Sequence, residues 1–269
     1  MPLFDVHAHL THPSLIDDVV GIVARAQAAG LSTIVSNGLN PSDNQAVWEL
    51  ARRFPIIKPA FGLYPVDAVL ADMLAAGDTY PGQREAWPRA EAIDWVRQHV
   101  AEAFAVGEIG LDGHWVKEGF WPAQEQAFRE LVQIAMEADK PIIIHTRKRE
   151  RRALEVLEEL GARRVNWHCF GGRVTLAREI ASRGHYLSIP ANARRSESFT
   201  RMLETLPRER LLLETDSPYL GPEREKQAEN EPANVQLTVS YAAELWGLSA
   251  EQAAAQFASN FEALFGTPP

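Results

Sequence analysis

One cysteine, Cys169, stands alone in 269 residues, which excludes an internal disulfide and fits a reducing compartment. No apolar run approaches the roughly 18 to 20 residues that span a bilayer, so no membrane segment is expected. The N-terminus has no basic segment followed by a long apolar one; no secretory signal is expected, and the expected location is cytoplasmic. Positive charge is scarce: 27 Lys and Arg stand against 36 Asp and Glu, a formal net charge of −9. That excludes a broad phosphate-tracking surface, while leaving room for a local basic pocket. No repeat, low-complexity tract or linker breaks the chain, so residues 1–269 are expected to form a single domain. Nothing implies a stable protein partner, and a monomer is expected.

What is present is an ordinary globular composition, 46% hydrophobic and 23% charged, arranged as short apolar runs that alternate with amphipathic segments. Strand-like runs fall at 3–6, 32–35, 56–61, 105–109, 141–144, 164–167, 185–189 and 211–214. Helical patterns fill 15–29, 41–52, 89–103, 122–138, 149–160, 173–182 and 196–206. Two more come after the last strand, around 235–246 and 250–264. Gly30, Gly161 and Gly184 sit just past helix ends, where a left-handed cap residue belongs. Parallel neighbours need crossovers, so eight such units in this length predict an α/β fold, a (β/α)8 TIM barrel with an extra C-terminal helix. The competing open, doubly wound sheet wants a glycine-rich turn after its first strand; "HAHLTH" stands there instead. The irregular stretch 71–88 is expected to be a surface excursion rather than a rim loop over the active site.

Side chains two apart on a strand share a face, so "FDVHAHL" turns His7 and His9 the same way. An isolated pair of this kind is often packing. Other strand ends repeat the pattern: Glu108 in "VGEIGLD", His145 in "PIIIHTR", His168 in "VNWHCF" and Asp216 in "LLLETDSPYL". In a barrel these ends ring one mouth. Four histidines and two carboxylates there exceed the needs of a single catalytic ion and suit two divalent ions sharing a carboxylate. His7, His9 and Asp216 would hold one, His145 and His168 the other, with Glu108 between them. Zn, Mn, Fe and Ni accept such a mixed set; Mg more often prefers oxygen alone. His12 is expected on a surface loop, and His99 and His185 are expected to be structural.

Together "DVHAHL", "VGEIGLD", "PIIIHTR", "HCFGG" and "ETDSPYL" with the later "NEPANV" resemble the TatD-like metal-dependent hydrolases of the amidohydrolase superfamily, from Phe4 to the final "SNFEALFG". The resemblance implies a (β/α)8 barrel, a divalent-metal hydrolase and phosphoester cleavage in DNA. It places the metal ligands at His7, His9, Glu108, His145, His168 and Asp216. Many amidohydrolases bridge their metals with a carboxylated lysine ending strand 4; Glu108 occupies that place here, which favours the TatD-like branch. Around the metals the chain departs from the family: "GLYP" puts Tyr64 where a histidine is common. Gly113 and His114 replace an aromatic pair, "HTRKRE" keeps Arg147 but changes the residues after it, and Gly171 changes "HCFSG".

The expected activity is therefore metal-dependent hydrolysis, foremost a deoxyribonuclease acting as a 3′-5′ exonuclease on DNA. A metal-activated water would attack, Asp216 would be the general base, and Glu108 would be the shared catalytic carboxylate. Arg147 is the candidate fork for a phosphate, His114 and Tyr64 are candidate substrate contacts, and Asp112 is expected to hold a ligand histidine from behind. The alternative is hydrolysis of a small ester, lactone, amide or phosphoester at the same two-ion site. A metal-binding protein without catalysis would show a broken ligand set, and none is broken here.

Overall fold

Both faces of each apolar run are covered, one by helices and one by the opposite barrel wall, which is why the runs read as nearly unbroken hydrophobic stretches. In the computed structural model, which describes residues 1–81, 85–223 and 229–266, they form a sheet of eight parallel strands adjacent in chain order. The strands are β1 (Leu3–Ala8), β2 (Leu31–Asn37), β3 (Ile57–Phe61), β4 (Ala105–Asp112), β5 (Ile142–Arg147), β6 (Val165–Trp167), β7 (Tyr186–Ile189) and β8 (Leu211–Leu213). The sheet closes where Asp216 N donates to His7 O at 2.8 Å and His9 N donates to Ser217 O at 2.8 Å. The expected TIM barrel is the observed architecture.

Around it lie α1 (Pro13–Ile16), α2 (Val19–Ala28), α3 (Pro41–Arg53), α4 (Leu70–Ala75), α5 (Arg89–His99), α6 (Trp121–Glu137), α7 (Glu150–Leu160), α8 (Val174–Ser182), α9 (Glu197–Thr205), α10 (Val235–Trp246) and α11 (Ala250–Phe265). The last of these is the extra C-terminal helix. A capping box starts it: Ser249 Oγ accepts from Gln252 N, and Gln252 Oε1 accepts from Ser249 N. Its Phe261 stacks on Phe4 at 3.9 Å between ring centroids, and with Leu264 and Phe265 it seals the N-terminal end of the barrel. Only the opposite mouth is left for chemistry.

Several boundaries differ from the expected ones. β1, β4 and β5 run two to three residues further, so His7 and His145 lie inside strands rather than beyond them, while Glu108 stays within its strand as expected. The β4–β5 ladder carries on through Gly110–His145, Leu111–Thr146 and Asp112–Arg147, where the β5 side chains turn polar but the backbone pairing persists. The helix expected over 15–29 is two helices. The acidic pair Asp17 and Asp18 separates them, and the His12 side chain caps the first by accepting from Ser14 N. The stretch 71–88 is neither wholly irregular nor a mere excursion: it begins inside α4, and Tyr80 reaches the barrel mouth. Residues 82–84 of that stretch lie outside the described residues. Gly30, Gly161 and Gly184 do take positive φ at helix ends, at 86°, 73° and 88°.

Candidate metal centre

β1 delivers His7 and, one residue past its end, His9, β4 Glu108, β5 His145, the turn after β6 His168 and the turn after β8 Asp216. All but the fully buried His7 line the floor of a cavity of about 780 Å³ at the C-terminal mouth. Glu108 is the hub. Its Oε1 lies 3.0 Å from His145 Nδ1 and 2.9 Å from His168 Nε2; its Oε2 lies 3.6 Å from His7 Nε2 and 3.5 Å from His9 Nε2. Each oxygen thus faces one histidine pair. Asp216 Oδ1 stands 3.6 Å from His7 Nε2 and 3.4 Å from His9 Nε2.

Two glycines let these strands come so close. A Cβ on Gly62 would meet the Gly107–Glu108 peptide at 2.4 Å. Gly110, at φ 146°, would drive a Cβ to 1.9 Å from the His145 carbonyl oxygen. Asp216 itself sits at φ 55°, a left-handed conformation that a non-glycine residue adopts at some cost, and this aims its carboxylate into the centre.

The donor set fits a pair of divalent cations. Imidazole nitrogens are turned on one another within the protein: His7 Nε2 to His9 Nε2 is 3.2 Å, and His168 Nε2 to His145 Nδ1 is 3.4 Å. Facing lone pairs of this kind repel unless protons or cations lie between them. Ligand atoms of His7, Glu108 and His168, and of His7, His9 and Asp216, form two groups each within 4.8 Å. The groups depart from the expected division: His7 belongs to both, its ring stacked on His168 at 3.7 Å, Glu108 belongs to one only, and His145 meets Glu108 and His168 without joining either group.

Charge in the centre is compensated internally. Burial alone would raise the Glu108 pKa, but His168, His145 and His7 outweigh it and hold the carboxyl well below its usual range. Burial would lower His145, His168 and His9; Asp112 and Glu108, then Glu108 and Glu214, then Asp216 and Glu108 respectively hold them above it. His7, desolvated and beside His168, is pushed well down. Binding a divalent cation to such a set releases protons.

A layer of contacts behind these residues orients them. Asp112 Oδ2 pairs with His145 Nε2 at 3.0 Å, so the expected histidine-holding position meets His145. Asp112 is itself clamped by the buried Gln124, whose Oε1 accepts from Asp112 N and whose Nε2 donates to Asp112 O, both at 3.2 Å. Sequence reasoning missed Gln124, Asp5 and Glu214. Asp5 accepts from His7 N at 3.1 Å, and from Thr215 N and Thr215 Oγ1 at 3.0 and 2.6 Å. Glu214 accepts from Cys169 N and Ser188 Oγ, both at 2.7 Å, and its Oε2 is 3.7 Å from His168 Nδ1. The period-two rule that paired His7 with His9 also covers Asp5, and Glu214 stands two before Asp216; both signals were available.

At the mouth, Tyr64 meets the His145 ring edge-on at 5.0 Å, and Arg147 is exposed with its Cζ 5.9 Å from the Trp115 ring centroid. Both line the cavity. His114 is exposed and outside that lining; its neighbour Trp115 lies within it. His12 caps α1, while His99 Nδ1 meets Trp95 O and His185 bridges Trp167 Nε1 and Ala162 O. No helix among the described residues is long and apolar enough to cross a membrane.

A closed barrel with histidines and carboxylates gathered at its C-terminal mouth defines a metal-dependent hydrolase of the amidohydrolase type. The chain belongs to the TatD family: the family model described as TatD related DNase matches residues 4–266. It is 32% identical over 269 residues to the uncharacterized metal-dependent hydrolase YabD of Bacillus subtilis, with 98% of each chain covered. It is 30% identical over 276 residues to the 3′-5′ ssDNA/RNA exonuclease TatD of Citrobacter rodentium, again covering 98% of each. The solved structure of YJJV, a TatD homolog from Escherichia coli, superposes with a TM-score of 0.84 at 24% identity, covering 99% of this chain and 98% of that one. That likeness speaks to the fold.

Proposed function

We propose that the chain is a nuclease that removes nucleotides from the end of single-stranded DNA, acting 3′ to 5′. The observation that carries this reading is the pairing of a two-cation centre with a phosphate handle. Arg147 and Lys148 line the cavity above Glu108 and Asp216, and neither has a carboxylate partner for its side chain among the described residues. The relative from Citrobacter rodentium, named for exonuclease action on single strands, supports the same reading.

His7, His9, Glu108, His145, His168 and Asp216 would hold two divalent cations, which when bound acidify water and polarise a phosphoryl oxygen. The chain's own groups do the rest. Arg147 donates two N–H groups to non-bridging phosphate oxygens and fixes the diester over the floor. Asp216, partly open to the cavity, takes the proton of the attacking water on its carboxylate. Asp112 accepts from His145 Nε2–H, which keeps the Nδ1 lone pair directed at Glu108 and the centre.

The test is cleavage of end-labelled single-stranded DNA by manganese- or zinc-reconstituted protein, with Glu108→Ala as control. Stepwise shortening from the 3′ end, lost in the variant, is expected. A second reading, hydrolysis of a small ester or lactone, is favoured by the net charge of −9, which repels a polyanion. Turnover of an ester and lactone panel by the same preparation, with DNA left intact, would decide for it.

A further inference from the structure

We infer that Trp115 is the stacking platform for a nucleobase adjoining the scissile phosphodiester, with Arg147 holding the phosphate chain that leads to it. The inference rests on the nuclease reading. Trp115 is a large aromatic left 37% exposed, and it lines the cavity that holds the metal centre. Exposed tryptophans on loops are usually free to move. This one is pinned to the centre itself: Asp112 Oδ1 accepts from Trp115 N and His114 N, both at 2.7 Å, while Oδ2 of the same carboxylate holds His145 Nε2. The next residue, Val116, is buried, and its carbonyl accepts from Trp121 Nε1 at 2.9 Å. One carboxylate therefore ties the Trp115 backbone to a candidate ligand.

Ring contacts orient the indole as well. Tyr80 meets it edge-on at 5.4 Å and His114 edge-on at 4.8 Å. A base laid on so ordered a surface loses little further side-chain freedom from the protein, and stacking tolerates any base. Charge sets the path of the phosphates. A second recess of about 580 Å³ adjoins the mouth through His9, Leu39, Tyr80 and Tyr219. Among the described residues its lining includes Asp43 and Glu85 and no lysine or arginine, so a polyanion is steered past Arg147 and Lys148 instead.

The experiment compares metal-reconstituted wild type, Trp115→Ala and Trp115→Phe on two single-stranded oligonucleotides. One is ordinary; the other carries abasic tetrahydrofuran residues at its 3′ end, with the phosphates unchanged. Wild type is expected to favour the ordinary end by about tenfold to a hundredfold in kcat/KM, mostly through KM. Trp115→Ala should collapse that preference to within about threefold, and Trp115→Phe should keep most of it. A preference that survives in Trp115→Ala overturns the inference, as does a wild type indifferent to the missing bases. The wild-type comparison stands even if a variant misfolds. Wild type that cleaves neither oligonucleotide would overturn the nuclease reading, and this inference with it; cleavage without base preference overturns this inference alone.

Discussion

Among the individual side chains, Asp216 and Asp112 make the most separable claims. Asp216 is the one carboxylate of the centre partly open to the cavity, and Glu108 is enclosed by four imidazoles. Asp216→Asn keeps the shape and removes the proton acceptor. Turnover should fall about 10²- to 10⁴-fold while the melting temperature stays within a few degrees; retained activity would exclude the general-base role. Asp112→Asn probes the tautomer of His145. The side-chain oxygen still accepts from the backbone N–H groups of His114 and Trp115, but the amide now donates toward His145 Nε2. That forces the ring proton onto Nδ1, the atom facing Glu108 at 3.0 Å, where a cation needs a lone pair. Cation affinity, read by competition with a chromophoric chelator, should drop about 10- to 100-fold. Unchanged affinity would place Asp112 outside the ligand-orienting layer.

Strands and helices decide how close those side chains come. Gly110 on β4 sits at positive φ with its α-carbon against the His145 carbonyl on β5, so neither strand has room for a methyl group. Gly110→Ala should cost at least about 2 kcal/mol in urea unfolding and weaken cation binding as the strands part. Wild-type stability would mean that the two strands adapt freely. This element also shows what was readable beforehand. Apolar runs ending in His7, His145 and His168 announce strands aimed at one mouth, because parallel strands in a barrel share a direction. The contacts of Gln124 with Asp112, and of Glu214 with Cys169 N and Ser188, depend on which segments become neighbours in space. Periodicity within one segment carries no such information. The break at Asp17 and Asp18 was hidden for the opposite reason: the apolar pattern runs on through it, although the chain leaves the helix there.

Taken whole, the molecule is an acidic body with a small basic rim. Its net charge is −9, and among the described residues the cations lining the cavity are Arg147 and Lys148. Single strands release counterions in proportion to the phosphates a protein neutralises, with a slope of about −0.7 in log affinity against log salt per contact. Two contacts give a slope of about −1.4. The surrounding negative charge opposes binding most strongly at low salt, and screening relieves that repulsion as salt rises, so the observed slope should be shallower still. Oligonucleotide KM measured from about 50 to about 300 mM potassium chloride should therefore vary only severalfold, where a protein with a broad basic face would vary by orders of magnitude. A slope steeper than about −3 would require more than about four phosphate contacts. Arg147 and Lys148 alone do not supply that many, and such a result would extend the nucleic-acid footprint beyond them.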